Sequence, residues 1–374
     1  MKTTLKENFK NTALGKEADS ILRSCVHCGF CNATCPTYQL LGDELDGPRG
    51  RIYLIKQALE DNEVTKKTQL HLDRCLYCLA CETTCPSGVR YSHLLEIGKK
   101  WVEQRVDRSW HDKLKRYSLR AILPNIPSIS SSQPRHSRTM LILDGCVQPL
   151  LKPNINTAAT KVFDQLGISL HKIKGCCGAI NQHMTATETA AEQMRRNIDN
   201  WLPLIEQMNA EAIMITASGC GTMLKEYGYY LRDDPDYAEK AQKITNMTRD
   251  ISEIIAECDL SSYSNIGKQR NITFHAPCSL QHAQKITGVV EKVLESIGFK
   301  LNPVEDAHLC CGSAGTYSIL QKTISKSLLD NKIKALENAK PELIATANIG
   351  CLKHLAGGSS VPVVHWIELL TEHE

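Results

Sequence analysis

Residues 25–36 read CVHCGFCNATCP and residues 75–86 read CLYCLACETTCP. In each run the cysteines are separated by two, two and three residues, and the fourth is followed by proline. Every cysteine of the second run lies 50 residues after its counterpart, so the second run is the first repeated. Three cysteines at this spacing let a tight loop wrap one face of an iron–sulfur cube, each thiolate reaching a different iron. The fourth is carried away by the next turn to a second cube. This rule assigns Cys25, Cys28, Cys31 and Cys85 to one [4Fe–4S] cluster, and Cys75, Cys78, Cys81 and Cys35 to another. Pro36 and Pro86 fix φ just after the last ligand and withhold an amide hydrogen there. Paired Cys-x-x-Cys also builds structural zinc sites. Zinc needs four ligands per site, however, and gives no reason for two matched runs that each end in Cys-Pro.

The rest of the composition narrows the function classes. A chain of 374 residues has room for two to three domains. Net charge is +3 and aromatic content is 5%, with no basic, aromatic-studded stripe of the kind that binds nucleic acid. The polar start MKTTLKENFKNTALGKEADS argues against export, and no run of eighteen apolar residues offers a membrane span. The expected location is cytoplasmic, with any membrane contact made at the inner face through partners. In a reducing compartment seventeen cysteines are read as metal ligands rather than disulfides.

Residues 1–24 read as a helical lead-in in which Ala18, Ile21 and Leu22 pack beside the first cysteine loop. Between the runs, DGPRG at 46–50 puts a proline at a helix start, and Ile52, Ile55 and Leu59 then share one helical stripe. Arg49 and Arg51 are read as the solvated opening of that helix. The alternative is a cation beside an anionic cluster, which would raise its reduction potential or dock a partner. His27, between two ligands, is expected to be exposed. The Pro- and Ser-rich stretch PNIPSISSSQPRHSR at 124–138 marks a linker.

A second duplication follows. TMLILDGC ends at Cys146 and NITFHAPC at Cys278; KGCCGA holds Cys176 and Cys177, while HLCCGSAG holds Cys310 and Cys311. AIMITASGC then ends at Cys220 and LIATANIGC at Cys351, all in the same order and offset by 131 to 134 residues. Helical segments at about 154–166, 185–208, 288–298 and 318–339 separate these apolar strands, a pattern that implies parallel sheets covered on both faces. The cysteines fall at the carboxyl ends of strands, where open α/β sheets bind ligands. A further iron–sulfur or metal centre in the repeats is the economical reading; buried cysteines serving as apolar fillers are the alternative. Cys258 has no partner in the duplication and is taken as structural. The expected architecture is therefore α/β overall. A small helical domain holding two clusters spans 1–110, a linker 111–138, and two Cys-Cys-Gly domains with parallel sheets span 139–258 and 259–374.

The two runs, the stretch GDELDGPRGRIYLIKQALE at 42–60 and the two repeats together resemble the iron–sulfur subunits of bacterial glycolate oxidases (glycolate dehydrogenases), along essentially the whole chain. The runs alone resemble two-cluster ferredoxins. The Cys-Cys-Gly domains alone resemble heterodisulfide reductases, anaerobic glycerol-3-phosphate dehydrogenase subunits and lactate-utilisation proteins. The glycolate oxidase resemblance implies a hetero-oligomer in which flavin-containing subunits oxidise glycolate to glyoxylate, and D-lactate too. This subunit would pass the electrons to a quinone or another membrane acceptor. No residue of this chain is then catalytic, and no Gly-x-Gly-x-x-Gly turn follows a first strand to bind a nucleotide cofactor. Heterodisulfide reductases end each full repeat in Cys-x-x-Cys. Met223 and His354 stand at that last position here, leaving four cysteines per repeat. Two rivals are a reductase acting on a disulfide at its own Cys-Cys-Gly site, and a zinc module that only holds partners together.

Overall fold

A computed structural model describes residues 1–121 and 135–371. Just under half of the segment read as a linker at 111–138, residues 122–134, lies outside the described residues. Its beginning belongs to the helix Trp110–Ala121 and its end to a strand that opens at Arg138. Two compact units result: 1–118 with 183–185 and 308–332, and 119–182 with 186–307 and the chain from Ile333 on.

The first unit is helical. Thr12 caps Ala13–Ser24 by accepting the Gly15 amide, and Pro48 occupies the first turn of Pro48–Leu59, where its missing N–H costs nothing. A Thr65–Thr68 capping box starts Lys66–Asp73, and Tyr91–Glu103 completes the bundle. These helices turn one apolar stripe each inward. Ile55, Leu59, Leu94 and Leu95 are fully buried, each contributing about 1.5–3 kcal/mol. Gly98 lets Tyr91–Glu103 press onto Pro48–Leu59: a Cβ there would stand 2.5 Å from Ile55 Cγ1. The cysteine loops are thereby clamped between helix ends.

The second unit holds two four-stranded parallel sheets. In the first, β1 (Arg138–Leu143), β2 (Ile168–Ile173), β3 (Ile213–Ile215) and β4 (Thr248–Asp250) are ordered β2-β1-β3-β4. In the second, β5 (Asn271–His275), β6 (Lys300–Leu301), β7 (Leu343–Thr346) and β8 (Val363–His365) are ordered β6-β5-β7-β8. The duplication seen in the cysteines is thus a duplication of topology. Asn154–Gln165 and Thr187–Met208 carry the first sheet's crossovers, and Trp201, Ile198 and Tyr227 are buried in its core. The sequence pattern finds β1, β3, β5 and β7, whereas β2, β4, β6 and β8 emerge only in the structure. Among the described residues no helix is long and apolar enough to cross a membrane.

The two repeats meet at equivalent turns. The Ser218 amide donates to the Ala347 carbonyl at 3.2 Å, and the Gly219 amide to Asn348 Oδ1 at 3.3 Å. Ser218 and Ser279 share a hydroxyl hydrogen bond of 2.7 Å. The strand-to-helix turns that carry Cys220 and Cys351 therefore face each other.

Candidate metal centres

Each cysteine run forms the same backbone loop. His27 and Gly29 have φ of 59° and 87°; their counterparts Tyr77 and Leu79 have 52° and 60°. A leucine held in the left-handed region costs roughly 1–2 kcal/mol, so the loop shape is imposed by what surrounds it. The loops line two concave spaces. One, of about 440 Å³, is walled by Cys25, Cys28, Cys31 and Cys85; the other, of about 330 Å³, by Cys35, Cys75, Cys78 and Cys81, with Cys81 touching both. Each run thus gives three cysteines to its own space and the fourth to its neighbour's.

None of the seventeen cysteines is in a disulfide. In the two spaces Cys25, Cys31 and Cys81 are costly to ionise. Burial pushes Cys31 up to about 11, and the neighbouring Cys25 and Cys85 add to the shift. Cys81 is raised well above its usual value, first by burial and then by Cys78 and Cys75. Four soft donors that oppose one another's ionisation are relieved by a shared cationic core, so the donor set fits an iron–sulfur cubane.

Cys28 is exposed, and Val26 and Phe30 beside it are 67% and 63% exposed, so the first space opens to solvent. The second is deeper. Tyr91 Oη donates to Cys75 Sγ at 3.6 Å, and Thr37 Oγ1 lies 3.3 Å from Cys35 Sγ. Arg51 also lines this space and is 1% exposed, which overturns the expectation of a solvated helix start. Its helix begins against Asp46, so the side chain turns inward to that carboxylate instead of to water. Arg49 is half-buried, lines the first space and pairs with Glu44 at 2.6 Å. His27 is half-buried rather than exposed, because its positive φ turns it into the wall of the first space. The 308–332 segment of this unit brings Cys310 and Cys311, both buried, and Tyr317, whose hydroxyl donates to the Arg74 carbonyl at 3.1 Å.

In the second unit Cys146, Cys176, Cys177 and Cys220 follow the carboxyl ends of the three adjacent strands β1, β2 and β3. They form a chain of thiols: Cys176 is hydrogen-bonded by Cys146, Cys177 and the Gly178 amide, which hold it well below the usual thiol range. Cys177 is pushed up in turn by Cys176 and Cys220. The loop is pinned from behind. Asn197 Nδ2 donates to the Cys176 carbonyl at 2.8 Å, Tyr227 Oη to the Cys177 carbonyl at 3.0 Å, and Trp201 Nε1 to the Lys174 carbonyl at 3.2 Å. Gly175, with φ +154°, makes this clamp fit, since a Cβ would sit 2.5 Å from Asn197 Oδ1. In the second repeat the Gly312 amide donates to Cys310 Sγ at 3.4 Å, as Gly178 does to Cys176. Asn348 Nδ2 donates to Cys351 Sγ at 3.4 Å, and Cys278 begins the turn after β5. Met223 is a buried core side chain, and His354 is half-buried on Ile349–Ala356. Thr37, Tyr91, Asn197 and Tyr227 were not legible as site residues, because each is joined to its cysteine by the fold and not by spacing.

A 4Fe-4S dicluster domain matches residues 21–89, and a cysteine-rich domain matches twice, at 140–225 and 272–356. Fold and site together define an iron–sulfur protein with a dicluster domain and a duplicated cysteine-rich domain. The chain is 50% identical to the glycolate oxidase iron-sulfur subunit of Escherichia coli, covering 100% of this chain and 99% of that one. It is 28% identical to a probable glycolate oxidase iron-sulfur subunit of Bacillus subtilis, over 99% and 98%. The fold is also similar to the crystal structure of a hypothetical protein from Helicobacter pylori, with TM-score 0.59 and 9% identity over 97% of this chain and 73% of that one. The chain belongs to the family of glycolate oxidase iron–sulfur subunits, electron-transfer components of an oxidoreductase.

Proposed function

We propose that the chain relays electrons from a flavin-containing subunit, which oxidises glycolate to glyoxylate and accepts D-lactate as a second substrate, to a membrane quinone. Two [4Fe–4S] clusters supply the one-electron chemistry. Cys25, Cys28, Cys31 and Cys85 hold one, and Cys75, Cys78, Cys81 and Cys35 the other. The observation that carries this reading is the exchange of the fourth cysteine between two adjacent four-thiol spaces. That arrangement keeps two one-electron carriers side by side, as a two-electron donor such as a flavin requires.

The first space, with exposed Cys28, Val26 and Phe30, is the outer end and faces the partner. The second is the inner end, next to the Tyr317 and Cys310 segment of the same unit. Cys146, Cys176, Cys177 and Cys220 hold a further centre, and Cys278, Cys310, Cys311 and Cys351 supply its duplicate. The domains divide as 1–110, 139–258 and 259–374. The complex works in the cytoplasm at the inner face of the membrane, held there by its partners.

The test is anaerobic co-purification with the flavin subunit, followed by dye reduction with glycolate, D-lactate and glycerol 3-phosphate in turn. Cys28→Ser and Cys78→Ser should each abolish acceptor reduction while substrate still bleaches the flavin. Acceptor turnover that survives loss of either cluster rules the relay out.

A further inference from the structure

Asp46, Arg51, His71 and Arg74 form a buried charge network against the second four-cysteine space. Asp46 is fully buried. Its carboxylate receives Arg74 Nη1 at 2.7 Å, His71 Nδ1 at 3.0 Å and, more loosely, Arg51 Nη2 at 3.5 Å. Arg51 Nε donates to the His71 carbonyl at 2.8 Å, and Nη2 to Thr37 Oγ1 at 3.1 Å. The Thr37 hydroxyl is in turn 3.3 Å from Cys35 Sγ and 2.7 Å from the Asp46 carbonyl. One carboxylate thus serves two guanidinium groups. The one nearer the cysteines holds it at the longer distance, so the network presents unbalanced positive charge to this space.

We propose that Arg51 is a positioning residue that raises the reduction potential of the cluster held by Cys35, Cys75, Cys78 and Cys81. The inference rests on the two-cluster reading. Reduction adds one electron, and so one negative charge, beside a guanidinium that is already charged; no proton moves. A buried cation favours the more negative state, and does so without the screening that weakens an exposed one. It also acts along a hydrogen-bond path, because Arg51 donates to Thr37 and thereby leaves the Thr37 proton free for the Cys35 sulfur or the Asp46 carbonyl. Arg49 lines the other space, but its charge is opposed directly: two of its nitrogens pair with Glu44 at 2.6 and 3.0 Å, and it is 35% exposed, so solvent screens it. The inner cluster is thereby the deeper resting place for an electron entering from the outer one.

The experiment is an anaerobic redox titration of the full chain, followed by electron paramagnetic resonance, with the two waves assigned by the chain carrying Cys28→Ser. Arg51→Gln should favour the oxidised inner cluster about tenfold, a fall of about 59 mV for one electron, while the outer wave stays put. Arg51→Lys keeps the charge and should stay near the wild-type value. Asp46→Asn removes the opposing charge and should move the same wave upward, so it decides the matter if Arg51→Gln does not retain its cluster. An inner wave that fails to move in a variant with a native spectrum overturns the proposal, as does an equal shift of both waves. Absence of both signals in the wild-type chain would instead overturn the two-cluster reading.

Discussion

Replacing Asn197 tests whether the first Cys-Cys-Gly loop is held by its hydrogen-bonded backing. Asn197 is 3% exposed on Thr187–Met208, and its Nδ2 serves two acceptors, the Cys176 carbonyl at 2.8 Å and Tyr227 Oη at 2.9 Å. Asn197→Leu has similar volume but no donor. It strands a buried carbonyl, at about 1–3 kcal/mol, and removes one accepted bond from Tyr227, at about 0.5–1.5 kcal/mol. Tyr227 keeps its own bond to the Cys177 carbonyl, so the losses partly relax, and a net cost of about 1–4 kcal/mol is expected. Asn197→Ala should cost at least as much, because it adds a cavity.

The assay is guanidinium unfolding of the anaerobically prepared full chain at neutral pH, with rates of thiol alkylation measured in parallel. The loop carries Cys176 and Cys177, both 4% exposed, so loosening it should speed their alkylation well before global unfolding. A loss below about 1 kcal/mol in both variants, with unchanged alkylation, would refute the idea that this backing positions the cysteine pair.

Cys85→Ser should disturb the cluster of the 25–31 loop, and Cys35→Ser that of the 75–81 loop, as read from two distinguishable paramagnetic signals; the opposite pattern would mean that each run ligates within itself. Asp250 is fully buried at the start of Ile251–Ile255, and burial raises it from 3.8 to about 6 despite its bonds to Ser252. The folded state then holds the proton longer than the unfolded state, so stability falls as pH rises from about 4 to 6. Asp250→Asn should recover about 3 kcal/mol or less at neutral pH, measured by denaturant midpoint at pH 7.5 against pH 4.5. Asp73 behaves in the reverse sense: burial pushes it up, but Lys99, Arg116 and Arg108 hold it below 3.8. Its contribution is complete above 3.8 and disappears as pH falls through its lower folded value, so Asp73→Asn should flatten the acid limb of the stability curve.

What could be read from the sequence was whatever is written in spacing or in apolar runs long enough to count. The two four-thiol spaces could be anticipated because the spacing within each twelve-residue run and its repeat 50 residues on are written in the chain. β1 and β5 were legible because TMLIL is a nearly continuous apolar run and NITF an alternating one rich in strand-forming residues, each followed within a few residues by a cysteine. β4, β6 and β8 are two or three residues long, and none sits, as the equally short β3 does, in a longer apolar run that leads to a cysteine; β2 breaks its apolar residues with Ser169, His171 and Lys172. Arg51 misled for a different reason. A cation in the first turn of a helix ordinarily points to water, and only Asp46, five residues before it, together with the backbone of His71, twenty after it, turns it inward.

The duplication carries the same lesson further. By offset, Cys310 and Cys311 are the equivalents of Cys176 and Cys177, and the sequence gives no reason to treat the pairs differently. Yet the 308–332 segment belongs to the compact unit of the dicluster loops, tied there by the Tyr317 hydroxyl and the Arg74 carbonyl, 243 residues apart in the chain. Two copies of one motif have therefore been given different neighbours. If both hold a centre, their neighbours will not tune them alike, because Tyr317, which also feels the charges of Arg51 and Asp46, stands beside Cys310 within its unit, whereas Cys176 is answered by Cys146, Cys177 and Asn197. Symmetry in the chain repeats the cysteines, and asymmetry in the packing gives the two copies different surroundings.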